Sequence, residues 1–396
     1  MTISEMSGSA RRLIAFYLPQ FHPVPENDEW WGKGFTEWTN VAKAKPLFRG
    51  HHQPQLPGDL GFYDLRVPEV REAQAKLARE HGIYGFCYYH YWFSGRRLLE
   101  RPFNDVLASG KPEFPFCLCW ANENWTRLWD GRDEEILMTQ EYSVEDYRAH
   151  LRGILPALHD KRYIRIGEKP IFLVYRASNM PDPRLATETW RDEAARLGLP
   201  GIYLCNVEST PLDYGLGPKT GFDASVEFAP GWDGLGPPLR QNLAWRLLRK
   251  LGLSSSAYAE HAIMNYDTLK ANMLRKPSPD YLRYPCVTPG WDNSARRKSA
   301  AVIFRGSTPE KYQDWLERIL VRQRSPSAEE NFVFINAWNE WAEGNHLEPC
   351  ARWGHGYLEA TRRALARVGI RSQRADLLVE GKSAATVPAS LSRVLE

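Results

Sequence analysis

No stretch of this chain approaches the roughly 20 consecutive apolar residues of a membrane-spanning helix. The N-terminus is polar, and the first apolar run, Leu13 to Leu18, is too short for the core of a secretion signal and ends at Pro19. The expected location is cytoplasmic, with peripheral attachment to the inner membrane left open. Charge of one sign is lacking too: 51 basic and 48 acidic side chains leave +3 over 396 residues. That balance gives no strong pull toward nucleic acid or anionic membrane. The basic clusters are short: Arg11-Arg12, Arg96-Arg97, Arg246 with Arg249-Lys250, and Arg296-Arg297-Lys298. Each reads as solvated surface. The last follows a candidate active-site strand, so a phosphate of a donor or lipid carrier is its alternative partner.

Cysteine is scarce and unpatterned. The six residues, at 87, 117, 119, 205, 286 and 350, include no second pair at metal-finger spacing. Cys117 and Cys119 are two apart on a strand and point the same way. With Cys87 and Cys205 they read as small buried hydrophobes. The spacing of His22, His52 and His90 does not build a metal cage. GxGxxG, GxxxxGK and GxSxG patterns are absent, as is a Cys-His pair placed for acyl transfer. Neither a metal nor a cofactor is expected.

Aromatic residues are plentiful, with 15 Trp and 18 Tyr, many at the ends of predicted strands. Eight short apolar runs read as those strands: Leu13–Leu18, Ile83–Tyr89, Phe114–Trp120, Pro170–Tyr175, Gly201–Val207, Ala224–Phe228, Tyr284–Thr288 and Asn331–Ala337. Most lack clean alternation, as strands covered on both faces do. Helical patterns lie between them: Val67–His81, Val144–His159 (where Pro156 would shorten the helix), Arg184–Leu197, Pro309–Arg322 and Gly354–Ala366. The expected fold is α/β, a single (β/α)8 TIM barrel with long βα loops. It would span residues 13–370, between a flexible N-terminus, 1–12, and a C-terminal extension, 371–396. Pro19 to Arg66 reads as a long loop without helical periodicity, and Trp120–Glu141 and Gly231–Tyr281 are long connections. All three leave strand C-terminal ends, where barrel enzymes build their sites.

The richest stretch is NAWNEWAEGNHLEP, Asn336 to Pro349. Glu340 and Glu343 flank Trp341, three apart, where the last strand gives way to a turn. Nearby carboxylates oppose each other's ionisation, so one can keep a proton while the other serves as base or nucleophile. An N-cap or salt-bridge pair is the plain alternative. The catalytic reading requires both to open on one cavity and not be locked in ion pairs with buried arginines. Asn339 and Trp341 sit beside them, and Glu348 would bind a sugar hydroxyl or anchor the loop. Strand three ends in Trp120, Asn122, Glu123, Asn124 and Trp125, candidate glycan contacts against a plain turn. Strand two ends YYHYWF, where His90 and Trp92 share one parity and Tyr89 and Tyr91 the other. Only one set can face inward; His90 and Trp92 are the expected site residues, with an internally hydrogen-bonded structural histidine as the alternative for His90. Strand one adds Gln20, His22 and, more weakly, Tyr17. The long loop adds Glu37, Trp38, His52 and Gln53. Glu208 ends strand five, Glu227 lies within strand six, and Trp291 and Asp292 follow strand seven.

The segments FYLPQFHPVPENDEWWGKGFTEWTNVAKAKPLF, HHQPQLPGDLGFYDLR, GFCYYHYWFSGRRLLERP, FCLCWANENWTRLWDG and INAWNEWAEGNHLEP resemble the WbsX family. That family is found with lipopolysaccharide and other surface-glycan biosynthesis proteins, and is similar to glycoside hydrolase family 99. The resemblance covers Leu13 to Ala366, and is more specific for WbsX than for the hydrolases. By likeness to the hydrolase motif NEWxEG followed by Glu-Pro, Glu340 would be the base and Glu343 the general acid and base. The base would deprotonate the sugar 2-hydroxyl, which attacks C1 to give a 1,2-anhydro sugar that water opens with net retention. The strand-one loop and YYHYWF are WbsX features, so substrate identity does not carry across.

The expected function is therefore a retaining endo-glycoside hydrolase-like enzyme acting on a bacterial oligosaccharide or polysaccharide. Glycosyl transfer in O-antigen, lipopolysaccharide or other surface-polysaccharide biosynthesis is the alternative, and a non-catalytic glycan-binding barrel the third. A single barrel without an evident DxD triad speaks against a nucleotide-sugar transferase. The expected partners are a glycan and surface-glycan assembly enzymes, not nucleic acid.

Overall fold

The computed structural model describes residues 11–127, 132–323 and 326–379. Its central sheet contains β1 (Arg12–Tyr17), β2 (Ile83–Phe93), β3 (Phe116–Trp120), β4 (Lys169–Val174), β5 (Tyr203–Glu208), β6 (Ala224–Glu227), β7 (Arg283–Tyr284), β8 (Cys286–Val287) and β9 (Phe332–Ile335). They pair in parallel in the order β7-β6-β5-β4-β3-β2-β1-β9-β8. β7 and β8 are halves of one apolar run broken at Pro285, which has no N–H for the ladder. β7 pairs with β6 and β8 with β9, so the ring closes through this broken seventh strand. Burial on both faces explains the unbroken apolar runs: every residue of β3, β5 and β9 is buried.

Aromatic rings fill the barrel interior. Phe16 stacks on Tyr89 at 5.5 Å and reaches Phe334 at 5.5 Å and Phe228 at 6.2 Å. Tyr175 meets Tyr89 at 5.8 Å and Phe228 at 5.4 Å. Edge-on and tilted contacts of this kind add to the burial of large apolar faces.

The outer layer holds α3 (Pro68–Glu80), α4 (Arg101–Ser109), α5 (Val144–His159), α6 (Pro183–Arg196), α9 (Tyr266–Arg275), α10 (Pro309–Arg322) and α11 (Gly356–Val379); α1 (Pro25–Trp31), α2 (Glu37–Lys43), α7 (Leu243–Lys250) and α8 (Ala257–Glu260) lie in the long loops. Several starts follow capping chemistry: Ser143, Asp182 and Thr308 accept backbone N–H bonds from Asp146, Leu185 and Lys311. The regular alternation fails once. Between β5 and β6 the Pro- and Gly-rich stretch forms only the 3-10 turns Pro211–Asp213 and Gly217–Lys219. Two further expectations are corrected. The strand-one loop contains α1 and α2, each seven residues and too short to show a period. α5 runs through Pro156 at full length. The last helix, α11, runs from Gly356 to Val379. Residues 1–10 and 380–396 of the expected terminal segments lie outside the described residues.

Candidate active site

After β9 the chain makes a short hairpin, in which Asn339–Glu340 pairs antiparallel with Asn345–His346 around the turn Trp341–Glu343. Gly344 closes the turn at φ +58°; a Cβ there would lie 2.5 Å from Gln55 Nε2 and 2.9 Å from Asp292 Cβ. Side chains pin the hairpin from three sides. Asn339 Oδ1 accepts the Leu18 N–H at 2.7 Å, and its Nδ2 donates to Leu18 O at 3.0 Å, tying the hairpin to the end of β1. Asn345 Oδ1 accepts from Ala337 N (3.1 Å) and Thr288 Oγ1 (2.9 Å). Glu348 accepts from Trp341 Nε1 (2.6 Å), Gln74 Nε2 (2.6 Å) and Tyr63 O–H (2.9 Å).

This scaffold delivers Glu340 and Glu343 to the wall of a cavity of about 690 Å³ at the C-terminal ends of the strands. Arg296 joins them. Its Nη2 lies 2.8 Å from Glu340 Oε2 and 2.7 Å from Glu37 Oε1, and its Nη1 lies 2.7 Å from Glu343 Oε1. Glu37 Oε1 also accepts the Ala342 N–H at 2.9 Å, so α2 is stitched to the turn between the two glutamates. The shared cavity is present; so is the ion pair with a largely buried arginine that would count against catalysis. One guanidinium serves three carboxylates, however, and itself lines the cavity. Such a cluster, with Arg297 also acting on Glu343, is a shared network and not a closed structural pair.

Burial pushes the Glu340 carboxyl up from 4.5 to about 8, helped by Glu343 and Glu37 and opposed by Arg296. Burial likewise raises Glu343, again against Arg296. The pair thus favours holding a proton at neutral pH. A raised carboxyl stabilises the fold fully below its unfolded value of 4.5, and that contribution is lost as pH rises through about 8. Glu340→Gln is therefore expected to gain stability relative to the wild type between pH 5 and pH 9, by about 4 kcal/mol. In thermal melts that is a differential of about 5 °C. A difference that stays constant across the range would contradict it.

The cavity floor is aromatic, with Tyr89, Tyr175 and Phe228 from the barrel interior, and its walls carry Trp31, Trp125, Trp232 and Trp291. Of the residues expected from sequence, Gln20, Glu123, Asn124 and Trp291 also line it. Glu123 pairs with Arg176 at 2.7 Å, and burial raises its carboxyl despite that cation. Gln20 Nε2, Asn336 Oδ1 and Trp291 Nε1 are buried without a hydrogen-bond partner among the described residues. Buried orphans on a cavity wall are suited to ligand hydroxyls.

His52 and Asp292 lie elsewhere, in a neighbouring cavity of about 260 Å³ that shares Trp291. Asp292 Oδ2 is occupied by His51 Nε2 (2.7 Å) and Gln53 Nε2 (2.8 Å), which also accounts for Gln53.

The structure does not bring the remaining candidates to the large cavity. His90 and Trp92 face α5: His90 Nε2 is 3.0 Å from His150 Nε2, Trp92 stacks on His150 at 4.9 Å, and its Nε1 donates to Asp146. The opposite parity, Tyr89 and Tyr91, faces inward. Tyr17 also points outward and donates to Gln74 Oε1 at 2.7 Å. Trp120 is fully buried under α5 and α6, against His150 and Trp190. Asn122 bonds Arg176 N and O and holds the loop after β4. His22 is buried with Nδ1 3.2 Å from Pro19 O. Trp38 donates to Tyr63 O and packs on Trp341, which itself stacks on His346 at 3.7 Å. Glu348, satisfied three times over, anchors the loop. Asn339 and Glu37 support the site from behind. Glu208 is held by Tyr281 O–H (2.5 Å) and Arg283 (3.3 Å), and Glu227 lies 3.6 Å from the same arginine. Arg296, expected as solvated surface or a phosphate contact, is the largest omission. Tyr175, Arg176, Phe228, Trp232, Asn293 and Asn336 are cavity residues that sequence reasoning did not select.

Among the described residues no group of His, Cys, Asp and Glu has the arrangement of a metal site, and no helix is long and apolar enough to cross a membrane. All six cysteines are buried and free.

Comparisons with known proteins can be set beside this geometry. A family model described as Glycosyltransferase WbsX matches residues 13–361. Two proteins from strains of Xanthomonas campestris pv. campestris, both described as uncharacterized protein WxcX, are 45% identical over 361 residues, or 90% of this chain and 50% of theirs. The chain thus spans about half the length of the curated relatives it matches. The GH99 endo-alpha-mannosidase from Bacteroides thetaiotaomicron, solved with Bis-Tris-propane, superposes with a TM-score of 0.54 at 14% identity, over 92% of this chain and 98% of that one. A glycoside hydrolase-like protein superposes at 0.53 and 13% identity, over 90% and 94%. At such identities the likeness is one of fold: a (β/α)8 barrel of the GH99 type.

Proposed function

The chain belongs to the WbsX glycosyltransferase family, and we propose that it processes a bacterial surface glycan by paired-carboxylate chemistry at Glu340 and Glu343. Family and fold together indicate a carbohydrate-active enzyme. The finer reading is retaining endo-glycoside hydrolysis. The observation that carries it is the cluster of Glu37, Glu340 and Glu343 on one guanidinium, set in the wall of an aromatic-floored cavity. Carboxylates whose proton affinities are raised by burial and mutual repulsion can exchange a proton with a substrate near neutral pH. The indole and phenol faces supply the apolar surface on which pyranose rings stack.

In this reading one carboxylate takes the proton of the sugar 2-hydroxyl while that oxygen closes on C1. The other gives its proton to the departing glycosidic oxygen. Water then opens the anhydro ring, returning both carboxyls to their starting states with retained configuration. The family resemblance puts the base at Glu340 and the acid at Glu343. Burial raises both carboxyls, so the two can share one proton, and the bound substrate would set which of them holds it.

Transfer is the second reading, favoured by the family's own description: an acceptor hydroxyl replaces water in the last step. One experiment separates the two. The protein is incubated with alpha-mannans and bacterial O-antigen fragments, with and without nucleotide sugars. New reducing ends without a donor are the expected result. Incorporation that requires a donor would replace hydrolysis by transfer, and inertness toward every glycan that nevertheless binds would leave only a lectin-like barrel.

A further inference from the structure

The loop after β6 carries a surface that the chemistry of the cavity does not use. α7 (Leu243–Lys250) has no buried residue. Leu243, Leu247 and Leu251, spaced four apart along one helix face, are 81%, 58% and 63% exposed, and Leu253 just beyond is 71% exposed. Isolated exposed leucines are ordinary, but four in eleven positions form a patch that demands a partner. The charge around them is one-sided. From Leu235 to Ser256 the chain contains Arg240, Arg246, Arg249 and Lys250 and no Asp or Glu. Among the described residues none of these four cations is in an ion pair; Arg240 lies over the rings of Trp245 (4.3 Å) and Tyr258 (4.5 Å), and Arg249 donates to Arg240 O.

A chain balanced overall to +3 thus concentrates four unpaired cations and four leucines on a single loop. We propose that this surface lies on an anionic bilayer, with the leucines entering the headgroup boundary and Arg246 and Lys250 meeting lipid phosphates. An amphipathic helix with a basic polar face and exposed leucines is the chemistry of interfacial attachment, and attraction to acidic lipid complements leucine insertion. An acidic protein groove would satisfy the cations, and a second copy of the chain the leucines, but an anionic membrane satisfies both at once. The same loop supplies Trp232 to the cavity, where it meets Trp291 edge-on at 5.6 Å. The attachment surface and the cavity wall are therefore parts of one βα loop. This inference stands apart from the roles given to Glu340 and Glu343.

The test is cosedimentation of the full chain with vesicles of phosphatidylcholine alone or with about one third phosphatidylglycerol. Binding to the anionic vesicles only, weakened by salt, is expected. Arg246→Glu/Lys250→Glu should weaken it by roughly thirtyfold or more, and Leu243→Ser/Leu247→Ser by at least about tenfold. All four positions are solvent-facing, so the variants should melt like the wild type. No pelleting with either vesicle, or equal pelleting by wild type and both variants, would overturn the proposal. So would light scattering that shows a dimer abolished by the leucine substitutions, which would assign the face to self-association.

Discussion

Glu343→Gln is expected to lower turnover of the natural glycan by about 10²–10⁴-fold, with little change in substrate affinity. The amide keeps the volume of the side chain and can still accept from Arg296 Nη1, now 2.7 Å from Glu343 Oε1, so the cavity should keep its shape. What it loses is the transferable proton. The diagnostic measurement uses a second substrate whose leaving group needs no protonation, such as a glycosyl fluoride of the same sugar. If Glu343 is the acid, the variant should release fluoride in its first turnover at nearly the wild-type rate, although later turnovers need Glu343 as the base toward water, whereas Glu340→Gln should be slow on both. The reverse pattern would exchange the roles. Wild-type rates for both variants on both substrates would remove the pair from the chemistry.

The barrel was legible because its strands are buried on both faces and so read as unbroken apolar runs. That same property hid the inward face of β2. In YYHYWF both parities are aromatic and both are buried, so no pattern of hydrophobicity decides between them. The decision is made by His150 on α5, which stacks with His90 and Trp92 and turns Tyr89 and Tyr91 inward. The carboxylate pair was legible because it is local: two glutamates three apart at a strand end. Arg296 was not, because one of its partners, Glu37, is 259 residues away and its own neighbours are basic. A run of three cations looks like surface until the fold brings three carboxylates to the first of them. Glu348 was left between two roles for a related reason. Its partners Tyr63 and Gln74 come from the strand-one loop and α3, and only their convergence makes it an anchor.

The second large effect belongs to Arg296. Its removal leaves Glu37, Glu340 and Glu343 without the cation that offsets their burial, and breaking a buried ion pair from one side costs about 3–5 kcal/mol. Arg296→Met, which keeps much of the apolar stem, is expected to show that loss by chemical denaturation at pH 9. At pH 5 the loss should be clearly smaller. Glu340 already holds its proton up to about pH 8 with the guanidinium present, because burial outweighs the cation. Without it, Glu340 and Glu343 would stay protonated to higher pH still, and neutral carboxyls need no counter-charge. The same displacement should appear in activity. The acid limb of the pH–rate profile reports ionisation of the base, and it should move to higher pH in the variant. Arg296→Lys restores the charge but not the two-pronged geometry that spans Glu340 and Glu343. It should recover most of the stability and the position of the acid limb while turnover stays depressed. A loss in Arg296→Met of equal size at pH 5 and pH 9, with an unmoved pH profile, would mean that the guanidinium merely fills space. Arg296 would then not be the charge that opposes the rise burial gives the two carboxyls.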